Sequence, residues 1–298
     1  MDLEALNTFV TVVEEKSFTR ASQKLMLSQP TVSFHIKSLE TFFHTNLIDR
    51  SPKRFHLTHT GEMVYERAKQ IHGIIERAKS DIADYHQQLR GSLHIGASYT
   101  VGEYVLPGIM KAFSSLHPDI HMEVTIDNTE QVNRGVLLHD VDIGLVEGQV
   151  NFKELQTVPF LQDELVVIVP EDHPLYAKQT LEFKDVQDQT WISRESGSGT
   201  RALMDSMFEA YNIRPSRTMT IGSNHGVVQG VKQGLGLSFI SKTVVENTFA
   251  DYLIRDVTFM NPAKRFFSYV LTADGNHSKN ADVFVEIIRT LYHFDNLT

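Results

Sequence analysis

Apolar residues near the N-terminus recur every three or four positions in three short segments. Residues with this spacing share one side of an α-helix. The three apolar faces comprise Leu3, Leu6, Val10 and Val13; then Ala21 and Leu25; and then Val32, Ile36, Leu39 and Phe43. The pattern predicts a compact unit of three helices.

The segment that follows begins with apolar Ile48 and ends with apolar Leu57, and a basic stretch that contains Pro52 lies between them. Short strand-forming ends around such a turn are typical of a β-hairpin. A hairpin attached to three helices is a winged helix-turn-helix, a fold that binds double-stranded DNA. We therefore predict this fold for residues 1–60.

Beyond the hairpin, apolar or aromatic residues follow one another at steps of four and three across residues 61–90. They are Val64, Ala68, Ile71, Ile75, Ala78, Ile82, Tyr85 and Leu89. Such heptad spacing is typical of a coiled coil. A helix from about Glu62 to Leu89 would extend about 40 Å and is too one-sided to be stable alone. We predict that it pairs two copies of the chain, the alternative being an amphipathic helix that lies on its own domain.

Residues 91–298 alternate short β-branched runs with helical patterns, which predicts a parallel sheet flanked by helices. The predicted strands are 92–97, 121–126, 142–146, 164–169, 190–192, 218–221, 237–240 and 268–271, and the predicted helices are 101–116, 129–138, 200–211, 225–233 and 280–292. Two successive sets of these patterns indicate two α/β lobes with a cleft between them. We expect the first lobe at about 91–162 and 267–298, to which the last helix returns, and the second at about 163–266.

Length and composition agree with a two-domain protein, since 298 residues exceed the usual length of one domain. The absence of cysteine excludes disulfides, a thiol nucleophile and thiolate metal ligands, and it fits a reducing compartment. Acidic Asp2 and Glu4 stand where a signal peptide needs basic residues. No apolar run approaches the roughly 18 residues of a membrane-spanning helix. We expect a cytoplasmic protein without a membrane partner.

The net charge of -9 is divided unevenly along the chain. Residues 1–90 hold 12 basic and 11 acidic residues, whereas residues 91–298 hold 16 basic and 26 acidic ones. The acidity therefore belongs to the second region, and the first region is compatible with binding to DNA phosphates.

The string from Ser28 to Glu40 has the pattern of a helix that enters the major groove. Ser28 caps the helix, and Pro30 occupies the first turn, where its missing N–H is tolerated. The expected groove-facing residues are Gln29, Pro30, Thr31, Ser33 and Phe34, and the expected phosphate-binding residues are Lys37, Arg50, Lys53 and Arg54. The alternative is a surface helix of an unrelated bundle beside a solvated basic loop.

The segments Leu6 to Phe9, Ser17 to Leu25 and Ser28 to Glu40 resemble the N-terminal signature of the LysR-type transcriptional regulators. The resemblance covers the whole chain in order. It continues through Arg50, Leu57, Thr58 and Gly61, and it extends to Leu93–Pro107 and Gly234–Ile240. Many members carry a groove-facing arginine where this chain has Phe34. The resemblance implies a fold like that of periplasmic solute-binding proteins, with a small-molecule effector held between the lobes.

Polar residues at the ends of predicted strands indicate where an effector binds. Ser98 and Thr100 follow a strand and precede a helix, so hydroxyl and backbone N–H groups converge in a way that suits an anion. Small residues in Ser193–Arg201 let backbone donors approach a ligand in the same way. The predicted effector residues are Ser98, Tyr99, Thr100, Asn128, Thr129, Glu147, Glu195, Ser196, Gly197, Ser198, Thr200 and Arg201.

Among these, Asn128, Thr129 and Glu147 are assigned because the strings around them match the family. Ordinary helix capping is the alternative for the serines and threonines. None of the 14 histidines has metal-ligand spacing, and no nucleophilic triad stands out. We therefore expect neither an enzyme nor a metal or cofactor.

The sequence thus predicts a transcription regulator with a winged helix-turn-helix, a long linker helix and a two-lobed α/β effector domain. The expected partners are promoter DNA, further copies of the chain in a homodimer or homotetramer, RNA polymerase and a small anionic metabolite. The competing interpretation is a solute-binding protein whose N-terminal helices only dimerise, and basic Arg50, Lys53 and Arg54 argue against it.

Overall fold

The computed structural model describes residues 2–49, 55–85, 91–148, 150, 152–248, 254–259, 263–275 and 277–292. The chain forms two compact units, which are Met1–Ile82 with Leu138–Asp140, and Ala83–Leu137 with Val141–Thr298. No helix among the described residues is long and apolar enough to cross a membrane.

The N-terminal unit contains the three predicted helices, α1 (Leu3–Glu15), α2 (Phe18–Lys24) and α3 (Gln29–Phe42). Each begins after a polar residue whose side chain accepts a hydrogen bond from a free backbone N–H of the first turn. These capping residues are Asp2, Ser17 and Ser28. Caps fix where the helices begin, and the apolar faces then close on one core that includes Phe9, Ala21, Val32, Ile36 and Leu39.

The hairpin and the linker helix pack against the same core. Strands β1 (Ile48–Asp49) and β2 (His56–Leu57) pair antiparallel, and α4 (His59–Tyr85) follows. The buried Glu40 carboxylate accepts a hydrogen bond from the Leu47 N–H at 3.1 Å and so joins α3 to the hairpin. Gly61 lies so close to this segment that a Cβ there would overlap the Leu47 carbonyl oxygen.

Helix α4 has 27 residues and begins three residues earlier than predicted. The apolar stripe of α4 has a buried part and an exposed part. Val64 and Ala68 pack into the core of the N-terminal unit, whereas Ile71 and Ile82 are 36% and 67% exposed. The predicted seam residue Leu89 lies outside the described residues.

The first lobe is built on parallel strands. Its elements are β3 (Gly91–Ser98), α5 (Tyr99–Tyr104), α6 (Leu106–Leu116), β4 (Ile120–Asp127), α7 (Thr129–Leu137) and β5 (Ile143–Glu147). Strand β3 lies between β4 and β5 and is parallel to both. The prediction of a single helix over 101–116 was wrong, because the helix is interrupted at Val105 and two helices, α5 and α6, form instead. The break places Pro107 in the first turn of α6, where its missing N–H costs no hydrogen bond.

The remaining elements form the second lobe and the return to the first. They are β6 (Leu155–Pro170), β7 (Thr180–Leu181), β8 (Thr190–Ser193), α8 (Gly199–Ala210), β9 (Arg217–Thr220), α9 (Asn224–Lys232), β10 (Ser238–Ser241), α10 (Lys242–Thr248), β11 (Ile254–Phe259), β12 (Ala263–Thr272) and α11 (Lys279–Tyr292). Helix α11 packs Phe284 and Ile288 into the same core as Leu93, Ile95 and Phe113 of the first lobe.

Two long antiparallel strands, β6 and β12, connect the lobes. Their register runs from Ala263 opposite Leu165 to Thr272 opposite Leu155. One half of the pair contributes Phe160 and Phe267 to the hydrophobic core of the first lobe. The other half of β6 contributes Leu165 to a hydrophobic core of the second lobe. The expected all-parallel sheet was wrong in this part, because β10, β11 and β12 all pair antiparallel with β6.

Candidate functional site

Helix α3 presents a polar surface beside its buried face. The exposed side chains of its first three turns are Gln29, Pro30, Ser33, Phe34 and Lys37. Phe34 is 68% exposed, although burial would stabilise an aromatic ring. Every predicted groove-facing residue of the helix is therefore accessible except Thr31, which is half-buried.

The Thr31 hydroxyl lies 2.7 Å from Ser28 Oγ, so it takes part in the helix cap. A contact that the sequence did not reveal is the hydrogen bond of 2.8 Å between His35 Nδ1 and Thr8 Oγ1, which holds α3 on α1. The predicted basic residues of the hairpin turn, Arg50, Lys53 and Arg54, lie outside the described residues.

Polar residues of the first lobe bond to one another at the carboxyl ends of its strands. The Ser98 hydroxyl donates to the buried carboxylate of Glu147. The Thr129 hydroxyl donates to the Glu147 carbonyl oxygen at 3.0 Å. Asn128 Oδ1 accepts from the Gln131 N–H at 3.0 Å and caps α7.

Arg194 is the centre of a buried cluster that joins the second lobe to the first. Its Nε and Nη2 donate to the two carboxylate oxygens of Glu195 at 2.8 and 2.9 Å, and Nη1 donates to Asn224 at 2.6 Å. The guanidinium lies 4.7 Å from the centre of the Tyr99 ring, and Asn224 donates to the Thr100 hydroxyl at 3.3 Å. Such charge-assisted and cation–π contacts stabilise the junction of the lobes.

Close backbone contacts complete this junction. The Glu130 N–H donates to the Gly197 carbonyl at 3.1 Å, and Asn128 Nδ2 lies 3.5 Å from the Ser196 carbonyl. A Cβ on Gly199 would overlap the Glu147 carbonyl oxygen. A residue without a side chain is therefore needed where α8 begins.

A cavity of about 820 Å³ lies beside the junction, between α7, α8 and the connecting strands. Its polar lining includes Asn133, Arg201, Lys264 and Arg265. Arg201 donates to Asp205 at 2.7 Å, and Arg265 donates to Asp163 at the same distance. The cavity has the volume and the mixture of apolar walls and polar groups that small-molecule sites have.

The predicted effector residues divide between the cavity and the junction. Those that line the cavity are Thr129, Ser196, Gly197, Ser198 and Arg201. Those at the junction, outside that lining, are Ser98, Tyr99, Thr100, Asn128, Glu147 and Glu195, while the Thr200 hydroxyl accepts from Arg265 Nη1. Sequence reasoning missed Asn133, Arg194, Asn224, Lys264 and Arg265.

Desolvation raises the pKa of Glu103, and the charges of Arg194 and His225 oppose that rise.

Ser198 caps α8 through a long contact of 3.5 Å to the Arg201 N–H. No group of three or more metal-ligating side chains occurs in the described part of the chain.

Comparison with known families assigns both regions. Residues 3–62 match the family described as "Bacterial regulatory helix-turn-helix protein, lysR family". Residues 86–292 match the family described as "LysR substrate binding domain". The two matches coincide with the exposed polar helix and with the region that contains the cavity.

The chain also resembles characterised proteins along its length. It is 40% identical over 296 residues to the HTH-type transcriptional regulator CysL of Bacillus subtilis (strain 168), covering 98% of each chain. Full-length CbnR in complex with its target DNA has the same fold, with a TM-score of 0.70 at 18% identity over 97% of this chain and 99% of that chain.

The regulatory domain of CcmR from Synechocystis PCC6803, solved in complex with 2-PG, matches with a TM-score of 0.65 at 24% identity, over 70% of this chain and 99% of that chain. These two structures establish the fold. The family matches, together with the identity to CysL, show that this chain belongs to the LysR family of DNA-binding transcriptional regulators, which carry an effector-binding domain.

Proposed function

We propose that this regulator binds a small anion in the cavity between α7, α8 and the connecting strands, and that binding changes how it engages promoter DNA. The cavity carries the proposal, because three cationic side chains, Arg201, Lys264 and Arg265, line it against the two carboxylates of Glu130 and Asp205. An anion is stabilised where cationic and hydroxyl groups surround it and water is scarce. The CcmR domain bound to 2-PG is a protein of the same fold with a ligand.

The proposed effector site combines the cavity lining with the junction beside it. Ser98, Thr100 and Glu195 are bonded to other protein groups. They would act on the ligand only if those bonds exchange. Because the junction holds the lobes together, such an exchange would couple ligand binding to the angle between the lobes.

The proposed DNA contacts begin with Gln29, which pairs with an adenine, and Phe34, which contacts a thymine methyl group. Pro30, Thr31 and Ser33 complete the groove-facing surface. Lys37, Arg50, Lys53 and Arg54 neutralise phosphates and position the helix. Exposure of Gln29, Ser33 and Phe34 beside a rigid buried face supports this assignment.

Pairing through α4 is proposed because Ile71 and Ile82 are exposed on the predicted seam. Two copies then read an imperfect inverted repeat, since a two-fold protein axis matches two-fold half-sites. The protein acts in the cytoplasm as a homodimer or homotetramer and contacts RNA polymerase at the promoter. Residues 1–60, 61–90 and 91–298 are the proposed functional divisions.

Thermal unfolding with sulfate, phosphate and small carboxylates tests the effector proposal, because a ligand that binds only the folded state raises its melting temperature. We expect at least one anion to raise it and chloride at the same ionic strength not to do so. Thr129→Val, which alters the lining, should weaken the response. Ser115→Ala on the exposed face of α6 should leave it unchanged. Equal responses of the wild type and both variants would remove the cavity from the proposal.

A further inference from the structure

Two buried polar side chains at the cavity stand out because each has one atom that forms no hydrogen bond with any residue that the structure describes. Asn133 and Arg265 are only 2% and 6% exposed. Both line the cavity. Asn133 Oδ1 and Arg265 Nη2 nevertheless have no hydrogen-bond partner in the described part of the chain. Native structures leave few buried polar atoms in this state, and the missing partner of such an atom is commonly an ordered water or a bound ion.

The partners of Arg265 account for only part of its guanidinium. Nε donates to Asp163 Oδ2 at 2.7 Å, and Nη1 donates to the Thr200 hydroxyl at 3.0 Å. Asp163 Oδ1 also accepts from Ser241 at 2.7 Å and from Thr243 at 3.2 Å. These bonds use Nε and Nη1 and leave the two N–H donors of Nη2 without an acceptor among the described residues. Two buried donors on a cation favour an anionic acceptor.

Asn133 lies on α7, one turn after Thr129 and Glu130, and all three residues line the cavity. Residues three or four apart share a helix face, so the cavity-facing side of α7 is polar. The Oδ1 atom is an acceptor only. A ligand that satisfies it must carry an N–H or O–H donor.

We propose that Arg265 and Asn133 select a small carboxylate that also carries a hydroxyl or ammonium group. This inference rests on the proposed function and narrows it. The carboxylate accepts from Arg265 Nη2, and the hydroxyl or ammonium group donates to Asn133 Oδ1 after small shifts of the two side chains, whose unpartnered atoms are covered at present. Ser196, Ser198 and Lys264 complete the polar lining around such a ligand.

The test uses the full chain and two matched series of acids. Acetate, glycolate and glycine share one carboxylate and differ in the group on the adjacent carbon. Succinate, malate and aspartate share two carboxylates and differ in the group on one of the carbons between them. Affinities come from isothermal calorimetry, supported by thermal unfolding at constant ionic strength. In at least one series, we expect the hydroxyl or ammonium acid to bind about tenfold more tightly than the bare acid, the value of one well-formed buried hydrogen bond.

The decisive variant is Asn133→Leu, which keeps the branching of the side chain and removes the acceptor. It should abolish the preference within a series while the bare acid binds as before. Gln131→Leu, the same change at an exposed position of α7, should retain the preference. Arg265→Lys should weaken all the acids together, and its unliganded melting temperature shows whether loss of the guanidinium fork unfolds the protein.

The outcomes separate the two proposals. If no acid, sulfate or phosphate binds the wild type, the proposed function fails and the inference fails with it. If bare and substituted acids bind equally in both series, or if Asn133→Leu keeps the preference, the inference is overturned while anion binding stands. A preference that Asn133→Leu removes and Gln131→Leu retains supports the assignment.

Discussion

The two functional regions of this regulator present their polar side chains in opposite ways. On α3, Gln29, Ser33 and Phe34 stand in solvent while the other face of the helix is locked into a core. At the cavity, Asn133 and Arg265 are buried, and the neighbouring polar groups are bonded across the lobes. At the proposed contacts DNA meets a surface that is already formed, whereas an effector at the proposed site must join a network that also stabilises the protein. Substitutions on α3 should therefore change the affinity for DNA without changing the free energy of unfolding. Substitutions at the cavity should change the affinity for an effector and the free energy of unfolding together.

The largest expected effect concerns the exposed seam of α4. Ile71→Asp combined with Ile82→Asp should dissociate the dimer, because each fully buried isoleucine contributes about 1.5–3 kcal/mol and a dimer buries four of them. Sedimentation velocity measures the change. His72→Asp, an exposed position on the same helix, is the control. An unchanged dimer in the double variant would place the subunit contact elsewhere.

The buried ion pair between Asp163 and Arg265 tests whether residues at the cavity also stabilise the folded protein. Asp163→Ala leaves Arg265 charged and buried, which should cost about 3–5 kcal/mol in the free energy of unfolding. Asp205→Ala breaks the exposed pair with Arg201 and should cost less than about 1 kcal/mol. Urea unfolding of the two variants compares them directly. Similar losses would show that burial does not distinguish the two pairs.

The backbone contact between α4 and the hairpin predicts a smaller effect on the N-terminal unit. Gly61→Ala places a Cβ against the Leu47 carbonyl oxygen. A backbone atom cannot move aside as a flexible side chain can, so we expect a loss of about 2–3 kcal/mol. Gly108→Ala adds the same methyl group where no other atom lies within 4 Å. That control should be neutral or stabilising in a melting experiment.

The smallest effect on stability is expected on α3 itself. Gln29→Ala should weaken specific DNA binding by about 1–3 kcal/mol and change the unfolding free energy by less than about 0.5 kcal/mol. Thr41→Ala at the far end of the same helix should alter neither quantity. A large loss of stability in Gln29→Ala would contradict the view that this surface is independent of the core.

The contrast between the exposed surface of α3 and the buried residues of the cavity also explains which features could be predicted from the sequence. The capped, exposed helix could be predicted because Ser28, Val32, Ile36 and Leu39 lie within one local repeat. The ends of most strands and helices in the effector region were also correct within one or two residues. The interruption at Val105 was missed although Pro107, a residue type that ends or kinks a helix, lies inside the predicted span.

Arg265 and Asn133 were missed for a different reason. Each lies inside an ordinary strand or helix, and neither belongs to a glycine-rich segment that would mark a site. Only the register of Ala263–Thr272 against Leu155–Pro170 brings Arg265 opposite Asp163. Because a long-range pairing creates the site, local patterns carry no signal for it.

The most direct test of the whole account is a fluorescence anisotropy titration on the promoter fragment beside the protein's own gene, at fixed salt, with and without an acid that binds in calorimetry. We predict binding on the order of a thousandfold tighter than to a scrambled duplex, and a change in affinity or in bound-state anisotropy when the acid replaces chloride at equal ionic strength. Equal binding to both duplexes, with no response to the acid, would contradict it.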